Sequence, residues 1–463
     1  MKSTSHIQRA MDEAKAVKLR INSPREEAAL HNCVELMDLS MDRVWDSMVA
    51  LTKGTTDSVH DAHTWLSTVL TNHDTCLDGL EGTARALMEA EVEDLMSRAR
   101  TSLAMLVAVM PPNPNTQQLI DDPLNGEFPS WLTTKDRKLL ESEVGDVNAD
   151  VVVAKDKSGN FKTVAEAVAS APDNCDTRYV IYVKKGTYKE NVEIGKKKKN
   201  VMLVGDGKDA TIITGSLNYV DGVKTINTAT VAAIGSDFIA QDIGFQNTAG
   251  PYKDQAVALR VAGDKSVINR CSIDAYQDSL YTHTNRQFFR DSYVTGTVDF
   301  IFGNAAVVFQ NCKVEPRKPR SKQKNTITAQ SRTDPNQNTG ISIQQCSITA
   351  SADLEPLIGS IQSFLGRPWK DYARTVVMQS YMDKVIDPAG WLEWQGHPER
   401  SETLYYGEYM NYGPGAGTAH RVNWTGYHVI TTTAEASQFT VKELIQGNVW
   451  LPQTGVNFIE GLG

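Results

Sequence analysis

The chain has 463 residues, which is long for a single domain, so two domains are expected. Its composition, 41% hydrophobic and 22% charged, is that of an ordinary globular protein. A net charge of −9 argues against the basic surface of a nucleic-acid-binding protein. No apolar run is long enough to predict a membrane-spanning helix.

Residues 6 to about 108 carry the periodicity of buried helical faces. Apolar side chains recur there at spacings of three and four residues, as in Leu30, Cys33, Met37, Met41, Val44 and Met48. Pro111 and Pro112 end this helical region, and a polar linker follows. Residues 1–140 hold 21 acidic and 14 basic residues. This surplus of negative charge predicts a helical domain that makes polar contacts with the rest of the chain.

From Val151 the sequence changes to short runs of β-branched and aromatic residues that end in Gly, Asn or Asp. Residues 179–183 and 201–204 are typical of these runs. Helical periodicity nearly disappears after residues 161–171, which predict one amphipathic helix. The second part of the chain is therefore expected to consist mainly of short strands.

A weak internal repeat indicates how these strands are arranged. The pattern is polar, polar, small, polar, β-branched, and its small residues are Cys271, Ser292, Cys312 and Cys346. A step near 21 residues, with one longer loop, is typical of the coils of a parallel β-helix. Equivalent positions of neighbouring coils then lie roughly 4.8 Å apart. A β-sandwich would instead show alternating hairpins with Asn-Gly turns.

Two aspartates occupy the same position on neighbouring predicted coils. Asp278 and Asp299 each lie seven residues after the small residue of a repeat. Carboxylates this close cannot both ionise freely, so an ionised acid lies beside a protonated one. That pair suits combined nucleophilic and acid–base catalysis. Gln277 and Gln255, about one coil back, offer amide N–H groups for an oxyanion. The alternative is structural, because Asp at a turn often only bonds backbone amides.

Five segments of the second part closely resemble plant pectin methylesterases and occur in that family's order. They are residues 244–251, 255–260, 276–281, 296–303 and 365–369. The likeness extends from about Val151 to the C-terminus. It implies a right-handed parallel β-helix, an all-β fold. It also implies a carboxylic ester hydrolase that converts the C6 methyl esters of homogalacturonan to carboxylate and methanol, without metal or cofactor.

The resemblance also assigns catalytic roles. Asp299 matches the nucleophile, and Asp278 matches the acid that protonates departing methanol and then activates water. Gln277 and Gln255 match the family's oxyanion and substrate contacts. Arg367 matches the residue that holds the nucleophile ionised, a suitable task for a fixed guanidinium.

Substrate contacts follow from the same resemblance. Thr225 matches a contact residue and Trp369 a sugar-stacking aromatic. Methyl-esterified homogalacturonan is therefore the expected partner. Two alternatives stay open at this point. One is a catalytically silent pectin-binding or inhibitory protein, and the other is a pectin-cleaving lyase or glycosidase. The last would call for calcium-ligating carboxylate clusters or acids spaced for a glycosidic bond, and the sequence shows neither.

The N-terminal part resembles the pectin methylesterase inhibitor module, a four-helix bundle that precedes many of these enzymes. Residues 62–70 and 72–79 carry the likeness. The resemblance implies a Cys33–Cys76 disulfide. Residues 137–140, Arg-Lys-Leu-Leu, resemble the site at which such pro-regions are removed. The family's first hairpin, with its own cysteine pair, has no counterpart, so the bundle is expected to be N-terminally incomplete.

These resemblances predict three segments: an inhibitor-like pro-region (residues 1–112), a linker (113–145) and a β-helix domain (146–463). They imply a monomer that is secreted to the cell wall, although no signal peptide is visible after Met1. Further expected partners are proteinaceous inhibitors and a subtilisin-like processing protease, and neither nucleic acid nor membrane is expected. Asn423 begins a glycosylation sequon.

One position departs from the family pattern. The family commonly has a cysteine where this chain has Ser292, paired with the counterpart of Cys312. Cys271 and Cys312 are two predicted coils apart, roughly 10 Å, which is too far for a disulfide. Cys312 is therefore expected to be a buried free thiol, with a Cys312–Cys346 bridge as the alternative.

Overall fold

The computed structural model describes residues 2–110 and 148–463. Four helices form the first part: α1 (Lys2–Lys18), α2 (Pro24–Lys53), α3 (Thr56–Gly79) and α4 (Gly82–Val109). Ser23 caps α2 by accepting a hydrogen bond from the Glu26 amide, and Pro24 holds the first helical position, where no amide is needed. Thr55 and Ser58 form a reciprocal capping box at the start of α3. Local sequence thus determines where these helices begin.

The four helices share one apolar core. The face predicted from periodicity is buried at Leu30, Cys33, Met37 and Val44. A disulfide joins Cys33 of α2 to Cys76 of α3, which confirms the predicted pair. None of the helices within residues 2–110 and 148–463 is long and apolar enough to cross a membrane.

The second part contains 26 short strands in three sheets. Sheet A consists of β1 (Val151–Val153), β2 (Tyr179–Val183), β5 (Val201–Gly205), β8 (Ile239–Gln241), β11 (Ser266–Asn269), β14 (Arg286–Arg290), β17 (Ala306–Gln310), β20 (Gly340–Gln344), β23 (Arg374–Met378), β25 (Tyr405–Tyr409) and β26 (Tyr427–Val429). Sheet B consists of β3 (Gly186–Lys189), β6 (Thr211–Gly215), β9 (Gly244–Asn247), β12 (Ser272–Asp274), β15 (Tyr293–Gly296), β18 (Lys313–Pro316), β21 (Ser347–Ile348) and β24 (Tyr381–Met382). Sheet C consists of β4 (Val192–Ile194), β7 (Val231–Ala233), β10 (Leu259–Val261), β13 (Leu280–Thr282), β16 (Ile301–Gly303), β19 (Asn325–Gln330) and β22 (Ser363–Gly366).

Successive strands pass from sheet A to sheet B to sheet C, and each strand pairs in parallel with its counterpart one coil later. The coil β11–β12–β13 is followed by β14–β15–β16, with Ser272 opposite Tyr293 and Leu280 opposite Ile301. Aliphatic and aromatic side chains of all three sheets fill the interior. This parallel β-helix is the fold that the repeat predicted.

The small residues of the repeat do stack on neighbouring coils. They lie one position before the paired residues Ser272, Tyr293, Lys313 and Ser347. The residue before each small residue has positive φ, between 49° and 55° at Arg270, Asp291, Asn311 and Gln345. This left-handed residue turns the chain from sheet A into sheet B. Cys312 is a buried free thiol, as expected, and so are Cys271 and Cys346.

Residues 148–463 contain five further helices, which lie outside the sheets. The first, α5 (Val164–Ser170), is the predicted amphipathic helix, and Val164, Ala167 and Val168 face the core. Four short helices follow near the C-terminus: α6 (Arg400–Thr403), α7 (Thr433–Ser437), α8 (Val441–Ile445) and α9 (Gly447–Trp450). Helices α8 and α9 pack on the outer face of sheet A. The predicted linker and the processing site at residues 137–140 lie outside the described residues.

Candidate active site

A cavity of about 360 Å³ lies on the outer face of sheet C. Every residue predicted for the site lines it: Thr225, Gln255, Gln277, Asp278, Asp299, Arg367 and Trp369. Four aromatic residues without a predicted role, Tyr219, Tyr281, Phe302 and Trp394, line it as well. The structure therefore brings together side chains of the β-helix that lie between residues 219 and 394 of the sequence.

The two aspartates occupy equivalent turns of neighbouring coils. Asp278 comes two residues before β13 and Asp299 two residues before β16, and these strands pair with Leu280 opposite Ile301. Both residues have positive φ, 62° and 51°, a conformation that Asp tolerates better than most residues. Each is 7% exposed. The predicted pairing of the two carboxyl groups is thus present in the fold.

Asp299 is surrounded by hydrogen-bond donors. Arg367 donates through Nε and Nη2 to its two carboxylate oxygens at 2.8 and 2.7 Å. Thr326 donates its hydroxyl to Oδ1 at 2.7 Å. Burial alone would lower the pKa of Arg367, but the ion pair with Asp299 raises it above its ordinary value. These contacts fix the orientation of the Asp299 side chain and place a positive charge against it.

Asp278 has the opposite environment. Burial raises its pKa well above the ordinary value of an aspartate, and the charge of Asp299 raises it further, although Arg367 acts in the other direction. Asp278 therefore keeps its proton more readily than an ordinary aspartate, beside a carboxyl group that is paired with Arg367. This arrangement of one acid and one carboxylate is what general acid and nucleophilic catalysis require.

Amide and aromatic groups surround the acid pair. The side-chain oxygen of Gln255 is buried without a hydrogen-bond partner among the described residues. Tyr281 and Phe302 stack at 4.3 Å, and Trp369 lies 6.0 Å from Phe302. Trp394 covers the guanidinium of Arg367 at 4.4 Å. Such a surface of flat apolar rings and amides suits a sugar polymer.

Two residues of the candidate active site were not predicted from the sequence. Thr326 follows a loop that breaks the 21-residue step, so no repeat indicates its position beside Asp299. Trp394 lies beyond the repeats altogether. For Tyr281 and Phe302 a signal did exist, because both belong to the segments that resemble the family. Their pairing follows directly from the coil register.

The helical bundle covers this cavity. Ala29, Asn32 and Leu36 of α2 and Thr75 and Asp78 of α3 line its outer wall.

In the part of the chain that the structure describes, no cluster of three or more His, Cys, Asp or Glu residues could hold a metal ion.

Ion pairs fix the bundle to the β-helix. Lys370, next to the predicted sugar-stacking residue, pairs with Asp74 at 3.2 Å and with Asp78 at 2.8 Å. Lys224 pairs with Glu81 at 2.9 Å. Arg286 reaches Asp61 at 2.7 Å, and Lys196 reaches Asp42 at 2.9 Å. The acidic surplus of the helical part is thus used in contacts with lysines and arginines of the β-helix.

Comparison with known proteins gives two family matches. The model of the family described as Pectinesterase matches residues 150–448, and that of Plant invertase/pectin methylesterase inhibitor matches residues 1–108. A pectinesterase/pectinesterase inhibitor of Ficus pumila var. awkeotsang is 58% identical over all of this chain and 85% of its own. Pectinesterase/pectinesterase inhibitor 18 of Arabidopsis thaliana is also 58% identical, over 99% of this chain and 83% of its own. The solved structure of pectin methylesterase from carrot is 58% identical, with a TM-score of 0.68, and covers 68% of this chain and 99% of its own.

Proposed function

The chain belongs to the pectinesterase family, and from that premise we propose that Asp299 and Asp278 carry out its reaction. The protein is a carboxylic ester hydrolase that acts on the methyl esters of pectin. We assign Asp299 as the nucleophile and Asp278 as the general acid and base. Gln255 and Gln277 serve the oxyanion, Arg367 orients the nucleophile, and Thr225 and Trp369 hold the sugar chain.

The first half of the reaction transfers the acyl group to the enzyme. A carboxylate oxygen of Asp299 attacks the C6 carbonyl carbon, and the negative charge passes to the carbonyl oxygen. Amide N–H groups of Gln255 and Gln277 donate hydrogen bonds to that oxyanion. Asp278 gives its proton to the methoxy oxygen as the C–O bond breaks. Methanol leaves, and Asp299 carries the acyl group as an anhydride.

The second half restores the enzyme. Asp278 is now a carboxylate and takes a proton from water while the water oxygen attacks the anhydride carbonyl. The bond to Asp299 breaks, which frees Asp299 as a carboxylate and leaves C6 of the sugar as a carboxylic acid, which then loses its proton to solvent. Asp278 is protonated again. The reaction as a whole consumes only the ester and one water molecule.

One observation carries this assignment: two buried aspartates lie at equivalent turns, one protonated and the other held by Arg367 and Thr326. A silent pectin-binding protein would have no use for a protonated aspartate beside a carboxylate, because burying Asp278 lowers the stability of the fold and binding alone gives nothing in return. The acid pair therefore favours catalysis over binding alone.

Methanol release from methyl-esterified pectin tests the assignment. We expect Asp299→Asn and Asp278→Asn each to lower turnover by at least about 10³-fold, because each removes a group that acts only in the transition state. Affinity for pectin should change little, since the aromatic contacts remain. Full activity in either variant would contradict the assigned roles, and loss of pectin affinity in both would indicate a damaged fold instead.

We further propose that the helical domain is an inhibitory pro-region. Its α2 and α3 occupy the outer wall of the cavity where the polymer would bind. The proposed division is residues 1–112, 113–145 and 146–463, with removal by a subtilisin-like protease near residues 137–140. A secreted monomer of the cell wall, glycosylated at the exposed Asn423, fits the substrate.

A further inference from the structure

A second cavity lies where the helical bundle meets the β-helix. It has a volume of about 820 Å³ and shares no lining residue with the cavity of the candidate active site. His60 and His63 of α3 belong to its wall on the side of the bundle. Pro335 and Gln438 line the cavity on the side of the β-helix and are exposed, so the cavity opens to solvent. A dissolved ion can therefore enter it.

Two arginines of the β-helix line this cavity side by side. Arg332 comes two residues after β19, and Arg374 is the first residue of β23. Their backbone amides both donate to the side-chain oxygen of Gln330, at 2.9 and 2.8 Å. The two side chains therefore start from neighbouring points and bring two positive charges to one cavity.

No carboxylate within residues 2–110 or 148–463 forms an ion pair with either arginine. Asp334 follows the first of them by two residues, but it lies 3.9 Å from Arg100 of α4. Glu443 and Glu460 also line the cavity, and Glu460 pairs with Lys442 at 3.4 Å. This part of the chain thus supplies no counter-ion for the two arginines.

Both guanidinium groups keep unused hydrogen-bond donors. Arg332 donates through Nε to the Gln337 carbonyl at 2.9 Å and through Nη2 to the Pro335 carbonyl. Arg374 donates through Nε to the Thr339 carbonyl at 2.7 Å. Nη1 of Arg332 and both terminal nitrogens of Arg374 have no hydrogen-bond partner among the described residues, and none of these three atoms is sealed from solvent. They are therefore available to a ligand in the cavity.

The two charges are unfavourable without a counter-ion. Burial lowers the pKa of Arg332 to about 10. Burial, together with the charge of Arg332, lowers the pKa of Arg374 well below its ordinary value. A guanidinium stays protonated at neutral pH all the same, so the two groups repel each other. Contacts with backbone carbonyls do not explain the pair, because neutral amide side chains could make them without that repulsion.

The loop that Arg332 holds also contacts the bundle. The carbonyl of Asn336 lies 2.6 Å from the ring of His63, and Asn338 donates to the hydroxyl of Thr64 at 2.9 Å. An anion bound to Arg332 would therefore lie beside contacts that join the bundle to the β-helix.

We propose that Arg332 and Arg374 form a binding site for a divalent oxyanion of the sulfate or phosphate type, between the bundle and the β-helix. A guanidinium binds such an anion through parallel, charge-assisted hydrogen bonds, and Arg374 offers both of its terminal nitrogens for them. One divalent anion neutralises both charges and strengthens docking of the bundle. This site goes beyond the proposed function and does not depend on it.

Calorimetric titration of the intact chain with sodium sulfate tests the site, at an ionic strength held constant with sodium chloride. Wild type should show saturable binding. Arg374→Gln should bind sulfate at least about tenfold more weakly, because it loses both terminal donors and the charge. Arg374→Lys should recover part of the affinity, since it keeps the charge without the forked geometry. No saturable binding in wild type, or equal affinity in Arg374→Gln, would overturn the site.

Inorganic phosphate and phenyl phosphate at pH 7 then distinguish two sources of the same chemistry. Tighter binding of the ester would assign the site to an organic phosphate. Equal or weaker binding of the ester would assign it to the free inorganic ion. Both outcomes require that Arg374→Gln weakens the binding of phosphate as it weakens that of sulfate, and a phosphate affinity that is unchanged in this variant would count against the site.

A matched control removes a different arginine. Arg270 is paired with Asp242 at the turn between sheets A and B, away from this cavity. Sulfate stabilises folded proteins in general, so the melting temperatures of wild type and Arg270→Gln should rise equally when sulfate replaces chloride. The rise should be smaller in Arg374→Gln, even if that variant is less stable in both salts. An equal rise in all three proteins would contradict specific binding.

The position between the two parts has its own test. The chain is cut at a protease site inserted in residues 111–147, and size-exclusion chromatography measures the chloride concentration that separates the parts. Sulfate should raise that concentration for wild type and leave it unchanged for Arg374→Gln, because the bound anion adds to docking. If sulfate had no effect on wild type, the site would not join the bundle to the β-helix.

Discussion

Asp278 is a residue whose environment suits catalysis and weakens folding. It is 7% exposed and lies one coil from Asp299. Burial, together with the charge of Asp299, raises its pKa well above that of an ordinary aspartate. A folded-state pKa above the unfolded-state value means that ionisation opposes folding. The proton that the reaction uses is therefore held at a cost in stability.

Replacing Asp278 with asparagine should stabilise the protein at neutral pH. Below about pH 3.9, the ordinary pKa of aspartate, the side chain is protonated in both the folded and the unfolded state, so the substitution has little effect. As pH rises, the unfolded state loses its proton first and the wild type becomes less stable relative to Asp278→Asn. We expect a melting temperature a few degrees higher at pH 7 and nearly equal at pH 3.5, measured by thermal unfolding.

The neighbouring substitution serves as the matched control. Asp299→Asn leaves the guanidinium of Arg367 without its carboxylate. Breaking a buried ion pair costs about 3–5 kcal/mol, and we expect the lower end because the side chain of Arg367 keeps 23% exposure. The two substitutions should thus shift the melting temperature in opposite directions at pH 7. A shift of equal sign would contradict the assigned protonation states.

At the scale of the elements, the turn from sheet A to sheet B is a hydrogen-bonded stack. The hydroxyl of Ser292 accepts a hydrogen bond from the Cys271 amide, and the sulfur of Cys346 accepts one from the Cys312 amide. Ser380 continues the stack by accepting from the amide of Cys346. At Ser292, Cys346 and Ser380 a small side chain with an acceptor atom therefore bonds the amide of the preceding member of the stack.

A disulfide should form across one step of this stack. Ser292 and Cys312 precede the paired residues Tyr293 and Lys313, so their Cα atoms are roughly one strand spacing apart, within disulfide range. Ser292→Cys, once oxidised, closes a loop of about 20 residues and should stabilise the β-helix by roughly 3 kcal/mol in the chain-entropy model. Peptide mapping of the unreduced protein and thermal unfolding in both redox states check this expectation.

Ser292→Cys in a Cys312→Ser background is the control. It removes the intended partner and leaves only Cys271, so it shows which neighbour forms the bridge. A lower melting temperature for the oxidised Ser292→Cys protein would contradict the adjacency. So would a bridge between Cys271 and Cys312 in the wild type, since these residues are two coils apart.

The sequence predicted these coils because each one reuses the same local turn. The order left-handed residue, small residue, one further residue and then a β-branched residue recurs from Arg270 to Ile348 and leaves a readable period. The pairing of Asp278 with Asp299 followed from that period alone. Arg367 did not, because it meets Asp299 from 68 residues away, and only the family resemblance indicated it. Neither the sequence repeat nor the family resemblance indicated Thr326.

At the scale of the whole molecule, the bundle and the β-helix meet through polar side chains. Trp65 donates to the carboxylate of Asp264 at 3.0 Å, and Asn304 donates to Thr71 at 2.8 Å. The acidic surplus predicted polar contacts, but not their partners. Contacts between distant side chains leave no periodic pattern in the sequence.

Removing the bundle should activate the enzyme. Since α2 and α3 line the outer wall of the cavity, we expect them to keep a polymer away from Asp278. We expect the chain cut within residues 111–147 and separated by salt to release methanol at least about tenfold faster than the intact chain. Asp78→Ala in the intact chain should give a partial increase, because it weakens the pair with Lys370. Equal rates for cut and intact chains would contradict inhibition.

Docking should also depend on pH, because the half-buried His63 and the buried His283 and Asp74 lie at this interface. His63 contacts the Asn336 carbonyl at 2.6 Å, and burial lowers its pKa to about 4. His283 contacts Thr75 at 3.0 Å, and burial lowers its pKa well below the ordinary value. For Asp74, burial outweighs the opposing effect of Lys370 and raises the pKa to about 6.

These groups act in opposite directions. A histidine with a lowered pKa stabilises docking above about pH 6.5 and loses that contribution as pH falls towards 4. An aspartate with a raised pKa favours docking more strongly as pH falls through 6. As pH falls, the two histidines weaken docking and the one aspartate strengthens it. We therefore expect the two parts of the cut wild-type chain to separate at a lower salt concentration at pH 5 than at pH 7.

Substituting the histidines should reverse this dependence. In the double variant His63→Gln and His283→Gln, neutral amides replace both imidazoles. Of the three positions, only Asp74 then still titrates. The cut parts of this variant should then need more salt to separate at pH 5 than at pH 7. Adding Asp74→Asn should flatten the remaining dependence. The measurement is the salt concentration at which size-exclusion chromatography resolves the two parts, at pH 5, 6 and 7. If the double variant still separated more easily at pH 5, protonation of His63 and His283 could not be the cause.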